Sequence, residues 1–186
     1  LRTQQYPIIN PRAQQAMLDQ IDQAREALDS LGGIIECAVI GVPAGLGSPM
    51  LCPAEGRISS LLFAVPAVKG VEFGAGFSIS AMHGSEANDR MILEDGVVKT
   101  ETNNNGGILG GITSGMPIVV RAAIKPTPSI SREQMTLNLA DGKVEPLVIK
   151  GRHDPCIVTR AAPVVEAAVA VAMTDLYLEA YGYARS

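Results

Sequence analysis

Residues 103–124, NNNGGILGGITSGMPIVVRAAI, join a glycine-rich segment to the strongest strand pattern in the sequence. Five glycines among the thirteen residues 103–115 allow tight turns and a close approach of the backbone to a ligand. Successive free N–H groups in such a segment can bind an anion, although a turn-rich loop explains the same composition. The pattern GxGxxG between a strand and a helix is missing, so a Rossmann site is not indicated.

The patterns on either side of this segment predict an α+β fold, with an antiparallel sheet packed on helices. Asn10-Pro11 is a helix start, and the apolar spacing that follows predicts a helix ending at Gly32-Gly33. Asp141-Gly142 between two apolar runs indicates a hairpin. Strands are predicted at 34–42, 71–77, 79–82 and 117–124, a hairpin at 135–149, and further helices at 57–65 and 163–181; residues 91–100 are either a small hairpin or an ordered excursion.

Composition limits the classes of protein to which the chain can belong. Hydrophobic residues make up 47% of the 186, which suffices for a packed core in one domain or two small ones. The formal net charge of −4 weighs against nucleic-acid binding. The chain begins with Leu1, so we expect the natural translation start to lie upstream.

The cysteines and the apolar runs indicate a cytoplasmic protein without a metal site. Cys37, Cys52 and Cys156 form an odd, sparse set, which is typical of reduced thiols. No metal-ligand spacing joins them to His83 or His153. The most apolar run, residues 161–173, is short and interrupted, which predicts a buried helix and no membrane span.

A second candidate segment, KPTPS at 125–129, follows the predicted strand. Lys125 is a point charge suited to phosphate, two hydroxyls follow it, and two prolines fix the backbone. An ordinary strand end with an exposed lysine explains the segment equally simply.

The third candidate segment is GRHDPC at 151–156, where ionisable side chains stand just before an apolar helix. Arg152 can bind an anion bidentately, and Asp154 can act as a base or orient a bound group. The alternative is a surface Arg–Asp pair in which Asp154 also caps the helix.

Taken together, these segments resemble a known family. GGILGGI at 106–112, KPTPS and GRHDPC are similar to the C-terminal signatures of chorismate synthases. Further similar strings, in the same order, are GVPAGLG at 41–47, AVKGVE at 67–72 and Gly84-Ser85, so the resemblance covers about Ile34 to Tyr177. It implies a single partial domain over residues 1–186, part of a β-α-β sandwich in a homotetrameric enzyme.

The activity implied by the resemblance is that of a lyase of the shikimate pathway. This family removes phosphate from 5-enolpyruvylshikimate 3-phosphate by 1,4-anti elimination, giving chorismate, and requires reduced FMN. Whether the flavin is reduced by an NADPH-dependent activity of the same protein stays open. A non-catalytic flavin- or phosphate-binding fragment is the alternative function.

The resemblance also assigns roles to individual residues. Asp154 matches an aspartate with a catalytic role near the flavin. The FMN contacts of the family fall on Pro66, Ala67, Gly110, Lys125, Pro126, Thr127, Pro128, Ser129 and Arg152.

Some features depart from the family pattern. The family has about twice this length, and its N-terminal half carries two proton-donating histidines that His83 and His153 do not replace. We therefore expect the chain alone to be inactive or nearly so. Residues 51–56 differ from the usual start of their helix, and Asn105 stands where the family often has alanine, a difference expected to be mild.

Overall fold

The computed structural model describes residues 8–182. The helices in that range are α1 (Pro11–Glu26), α2 (Ala54–Ala64), α3 (Gly84–Ala87) and α4 (Val158–Tyr181), with a 3-10 helix at Gly76–Ala81. The strands are β1 (Gly33–Val39), β2 (Val68–Phe73), β3 (Met91–Glu94), β4 (Val97–Thr100), β5 (Ile108–Leu109), β6 (Ile112–Thr113), β7 (Ile118–Ile124), β8 (Gln134–Asn138) and β9 (Lys143–Leu147). Helices together with antiparallel strand pairs confirm the α+β prediction.

Helix α1 starts as predicted but ends earlier. The side chain of Asn10 accepts hydrogen bonds from the amides of Arg12 and Ala13, as an N-cap should. At the other end, Leu28 adopts a φ of 59°, and the amide of Asp29 donates to the carbonyl of Ala24. This left-handed turn ends the helix before Gly32-Gly33, so the predicted end at that pair is wrong.

Strand β7 is the centre of a three-stranded sheet with the order β1-β7-β2. Its burial alternates along the strand, as expected for a strand with one face in the core. The inward residues Ile118, Val120, Ala122 and Ile124 are at most 3% exposed. Since each fully buried aliphatic side chain contributes about 1.5–3 kcal/mol, this strand is a large part of the core.

Two other predictions need correction. Residues 79–82 were expected to form a strand, but Gly76–Ala81 is a 3-10 helix. Gly74 and Gly76 have φ angles of 55° and 58°, and these left-handed residues turn the chain out of the sheet after β2. Helix α2 begins at Ala54, three residues before the predicted start, and buries Ile58 and Leu62.

Three hairpins are present among the described residues. The predicted pairs β3–β4 and β8–β9 are confirmed, with Glu94 opposite Val97 and Asn138 opposite Lys143. Asp95 and Gly96 both have positive φ, which suits a two-residue hairpin turn. The third pair, β5–β6, lies inside the glycine-rich segment.

Helix α4 is longer than predicted, because it begins at Val158 and carries Pro163 in its first turns. It buries one side, including Val165, Val169 and Leu176. Apolar residues are exposed on other sides. By length and composition α4 could cross a membrane, a property that core helices of soluble proteins share.

Within residues 8–182, the chain divides into two compact units. The first comprises residues 8–33 and 124–162, and the second comprises residues 34–123 and 163–182. A unit that is compact within the chain does not necessarily fold when separated from the rest. The prediction of one partial domain over residues 1–186 therefore stays a prediction.

Candidate functional site

The KPTPS segment directly follows β7, in the first unit. Lys125 is exposed and forms no hydrogen bond or ion pair within residues 8–182. The hydroxyl oxygen of Thr127 is buried and has no hydrogen-bond partner in that range. A buried hydroxyl without a partner is costly, so this segment has both a free cation and a polar group that a ligand could satisfy.

Residues 30–32 bring the second and third candidate segments together. The Ser30 hydroxyl donates to the carbonyl of Thr127 at 2.6 Å. The amide of Leu31 donates to the carbonyl of Pro155 at 2.7 Å, and Leu31 forms a parallel bridge to Cys156. Residues 125–129 and 152–156 are therefore held on the same short piece of backbone.

Gly32 shows why this junction needs glycine. A Cβ atom at this position would lie 2.4 Å from the carbonyl oxygen of Ile124. The sequence interpretation assigned Gly32 to the end of α1 and missed its role. A glycine pair also signals close backbone approach, and that reading would have pointed to the junction.

The GRHDPC segment gives its two charged candidates different environments. Arg152 is exposed and has no hydrogen bond or ion pair within the described range. Asp154 is half-buried; its Oδ2 lies 3.1 Å from Nε of Arg160, and its Oδ1 accepts from the amide of Cys156 at 3.3 Å. The carboxylate is thus oriented on both oxygens, while Arg152 stays available for an anion.

These contacts change two expectations about Asp154, namely that it pairs with an arginine at the surface and that it caps the following helix. An Arg–Asp pair exists, but its arginine is Arg160. Because α4 begins at Val158, Asp154 is not its N-cap. A cavity of about 250 Å³ lies beside the carboxylate and is lined by Ile21, Arg25, Asp154, Pro155, Cys156, Thr159 and Arg160.

The two histidines have local contacts. The Nε2 atom of His153 lies 3.0 Å from the carbonyl oxygen of Ile149. His83 is exposed at the start of α3, where its amide donates to the Glu86 carboxylate. No group of three or more His, Cys, Asp or Glu side chains in residues 8–182 is arranged to hold a metal ion.

Pro66 and Ala67 form a turn between α2 and β2, in the second unit. The amide of Val68 donates to the carbonyl of Val65 at 3.3 Å, which closes the turn. Ala67 has a φ of 72°, in the position where a type II turn favours glycine. A left-handed alanine costs about 1–2 kcal/mol, and such strain is often found at ligand sites.

Gly110 is at the tip of the β5–β6 hairpin. Gly110 and Gly111 have φ angles of 60° and 85°, so both are left-handed. A Cβ on Gly111 would lie 2.9 Å from that of Pro53, whereas a Cβ on Gly110 would meet nothing within 4 Å. Gly110 is therefore the glycine of the pair that leaves its backbone open to approach.

The asparagine-rich lead-in does bind an anion, but the anion belongs to the same chain. The amides of Asn104 and Asn105 donate to Oδ1 and Oδ2 of Asp89 at 2.7 and 2.8 Å. The side chains of Thr102 and Asn105 add two more bonds. The N–H groups of residues 104 and 105 are therefore occupied by the chain itself and are not free for a ligand.

The bonds to Asp89 change its titration. Burial raises the pKa of the carboxyl, but the hydrogen bonds from Asn105, Thr102 and Asn104 outweigh burial and hold the pKa below its ordinary value. Sequence patterns missed Asp89 because it lies in the polar stretch 84–90, which has no periodicity that would mark a buried residue.

The candidate residues thus fall into two groups. Lys125–Ser129, Arg152 and Asp154 lie in the first unit, and Pro66, Ala67 and Gly110 lie in the second. The first group combines free cations, a buried hydroxyl and an oriented carboxylate. The second combines two left-handed backbone positions with open space at Gly110.

The α+β fold carries, in its first unit, two cations without partners among the described residues, a buried hydroxyl and an oriented carboxylate, which are groups suited to an anionic ligand. The family model of chorismate synthase matches residues 1–178. The chain therefore belongs to the chorismate synthase family.

Curated relatives show the extent of the similarity. The chain is 53% identical over 161 residues to the chorismate synthase of Thermococcus kodakarensis, covering 87% of this chain and 45% of that protein. It is 54% identical over 163 residues to the one from Methanocella arvoryzae, covering 88% of this chain and 44% of that protein. The chain thus spans about half the length of the curated relatives that it matches.

A solved structure confirms the fold class. The structure described as a crystal structure of chorismate synthase superposes with a TM-score of 0.75 and 34% sequence identity. The match covers 92% of this chain and 44% of the other.

Proposed function

We propose that this chain is part of a chorismate synthase that converts 5-enolpyruvylshikimate 3-phosphate to chorismate and phosphate, using reduced FMN. The observation that carries the proposal is the first-unit group: within residues 8–182, the side chains of Lys125 and Arg152 have no partner, and neither has the buried hydroxyl of Thr127. The KPTPS and GRHDPC segments both contact residues 30–32, so these residues hold the two segments close to each other. Family membership gives this anion site its particular reaction.

FMN fits the residues that the chain supplies. Its phosphate carries negative charge, for which Lys125 and Arg152 offer charge-assisted hydrogen bonds. The hydroxyls of Thr127 and Ser129 offer further donors, and Pro126 and Pro128 keep the backbone between them from flexing. Pro66, Ala67 and Gly110 supply the remaining proposed contacts. When bound, the reduced flavin supplies electron density as the phosphate leaves.

The elimination is balanced without an oxidant. The C–O bond to phosphate breaks, the C6 hydrogen is lost, and a new double bond forms, so there is no net redox change. Asp154 is the proposed catalytic carboxylate near the flavin. Its bonds to Arg160 and to the Cys156 amide hold it in one orientation, which proton transfer requires.

We further propose that the 186-residue chain alone has little or no activity. The family's proton-donating histidines have no counterpart in His83, which is exposed, or in His153, whose ring contacts a backbone carbonyl. A full-length enzyme that contains this chain is proposed to be a cytoplasmic homotetramer.

The reaction is tested in a chimaera, in which this chain replaces the matching segment of the Thermococcus kodakarensis enzyme. With substrate and chemically reduced FMN, we expect the chimaera to form chorismate and the isolated chain to form almost none. Asp154→Asn and Arg152→Ala in the chimaera should lose most activity, while Arg132→Ala should retain it. A folded chimaera without turnover would contradict the assigned reaction, and turnover by the isolated chain would contradict its proposed inactivity.

A non-catalytic flavin- or phosphate-binding fragment is the second candidate, favoured by the same free cations. Saturable FMN binding by the isolated chain, without turnover in the chimaera, would support it. Loss of that binding on Lys125→Ala would locate the fragment's site at the KPTPS segment.

A further inference from the structure

Asp89 is a buried carboxylate whose hydrogen bonds all come from one short segment. Its residue is 6% exposed, and it forms no ion pair with any residue that the structure describes. Instead, Thr102, Asn104 and Asn105 donate four hydrogen bonds to its two oxygens, at 2.7–2.9 Å. A buried charge is tolerated only when its oxygens are satisfied in this way.

Residues 103–106, which Asp89 binds on one side, are bonded on the other side to residues just after β2 and just before β7. The carbonyl of Asn104 accepts from the amide of Ala75 at 2.7 Å, and the side chain of Asn103 donates to the carbonyl of Pro117 at 2.8 Å. A Cβ on Gly106 would lie 2.4 Å from the nitrogen of Gly74. Residues 103–106 are thus clamped between Asp89 and the sheet.

The β5–β6 hairpin starts immediately after this clamped segment. The amide of Ser114 donates to the carbonyl of Gly107 and closes the open end of the hairpin. At its turn, the carbonyl of Gly111 accepts from the amide of Ala54, the first residue of α2. Gly110 alone of the hairpin's glycines faces open space. Residues 103–106 thus hold the β5 end of the hairpin, while hydrogen bonds between Thr113 and the backbone of Gly45 and Leu46 hold its β6 end. A change in how Asp89 binds residues 104 and 105 would therefore move the hairpin, and Gly110 with it, from the β5 end.

We propose that Asp89 is a positioning residue for the flavin site: by binding the amides of Asn104 and Asn105, it sets the place of Gly110. This proposal rests on the proposed FMN contact at Gly110. Asp89 itself would touch no reacting group. It acts through the backbone of residues 103–106, which leads directly into the hairpin.

The substitution Asp89→Asn is the sharpest probe, because it keeps the shape and replaces one acceptor oxygen with an NH2 donor. If the new NH2 group faces Asn105, it meets two N–H donors; if it faces Thr102 and Asn104, it meets the Asn104 N–H, while the Thr102 hydroxyl can rotate to accept. Asn105→Ala removes a single donor and should act in the same direction, more weakly. Asp95→Asn, in the exposed turn between β3 and β4, is the matched control.

The test combines FMN titration with amide NMR of the 186-residue chain. We expect Asp89→Asn to weaken FMN binding about tenfold or more, since losing satisfied bonds to a charged group costs at least about 1.4 kcal/mol. The amide signals of Asn104, Asn105 and Gly110 should shift, while that of Val120 in β7 stays unchanged. Asp95→Asn should change neither readout.

Each outcome is decisive for the positioning role. A shift confined to Asn104 and Asn105, with Gly110 and FMN affinity unchanged, would overturn it and leave Asp89 a local structural residue. Equal shifts at Gly110 and Val120 would overturn it too, because they would indicate general unfolding. If the unsubstituted chain binds no FMN, the proposed flavin site is wrong. The amide signal of Gly110 in Asp89→Asn then still tests, independently, whether Asp89 positions the hairpin.

Discussion

Gly106 and Gly74 approach each other so closely that a Cβ on Gly106 would lie 2.4 Å from the Gly74 amide nitrogen. The end of β2 and the base of the β5–β6 hairpin meet at these two residues. The family string GGILGG therefore has a packing role at Gly106 and a more exposed role at Gly110. The two glycines have almost the same φ, 63° and 60°, which makes them a matched pair.

Gly106→Ala should destabilise the chain far more than Gly110→Ala. Both substitutions place alanine in a left-handed conformation, at a cost of about 1–2 kcal/mol. At Gly106 the added methyl also collides with backbone, and overpacking adds about 1–3 kcal/mol. Urea unfolding of the two variants measures the difference directly. Equal losses would contradict the close approach of Gly106 and Gly74.

The stability of the chain should fall in acid partly because of Asp89. Its folded-state pKa is lowered, so its stabilising contribution is present above the ordinary carboxyl pKa of about 4 and is lost as the pH falls through the folded-state pKa. In the Asp89→Asn variant, the asparagine that replaces Asp89 has no carboxyl group to titrate. The difference in unfolding free energy between the two proteins should therefore be largest near pH 7 and shrink below about pH 4. A difference independent of pH would contradict this assignment.

The isolated chain should self-associate. Exposed apolar residues line both sides of hairpin β3–β4 and part of α4, including Met91, Leu93, Val98, Val164 and Val171. Large exposed apolar patches mark surfaces that are covered in an assembly. Light scattering should give a mass above the 19.5 kDa of one chain. The variants Leu93→Lys and Val171→Lys would show which surface contributes, and a monodisperse monomer would contradict the prediction.

Sequence patterns predicted those elements that are set by local chemistry. Strand β7 was predictable from its run of apolar and β-branched residues, and the β8–β9 hairpin from an Asp-Gly pair between two apolar runs; the Asp-Gly pair at 95–96 indicated β3–β4 in the same way. Helix α1 started where Asn10 caps it. These features depend on neighbours in the sequence, and a pattern over a few residues is enough to reveal them.

The features that were missed depend on contacts between distant residues. The end of α1 is fixed by Leu28 in a left-handed conformation, which leucine adopts rarely and which no pattern signals. Asp89 is recognisable as buried only once residues 102–105 are placed around it. Ser30 and Leu31 join the KPTPS and GRHDPC segments across about a hundred residues of sequence, through the Ser30–Thr127 and Leu31–Pro155 bonds.

Within the candidate site, the partners of the charged residues could not be predicted from the sequence. Lys125 and Arg152 have no side-chain partner among residues 8–182. The partner of Asp154 is Arg160, and the anion bound by the asparagine-rich segment is Asp89. Residue types follow from the chemistry of a site, whereas partners follow from the fold.

FMN titration of the isolated chain tests whether Lys125 and Arg152 form a flavin site. Four proteins are compared: the unsubstituted chain, Lys125→Ala, Arg152→Ala and the control Arg132→Ala. Arg132 is an exposed cation paired with Asp29 at 3.3 Å, in the same unit. A charge-assisted bond to phosphate contributes about 1.5–3 kcal/mol, so losing one should weaken binding about tenfold or more. We expect saturable binding that Lys125→Ala and Arg152→Ala each weaken and Arg132→Ala leaves nearly unchanged. Equal affinity in all four proteins, or no binding to the unsubstituted chain, would contradict a flavin site at these two cations.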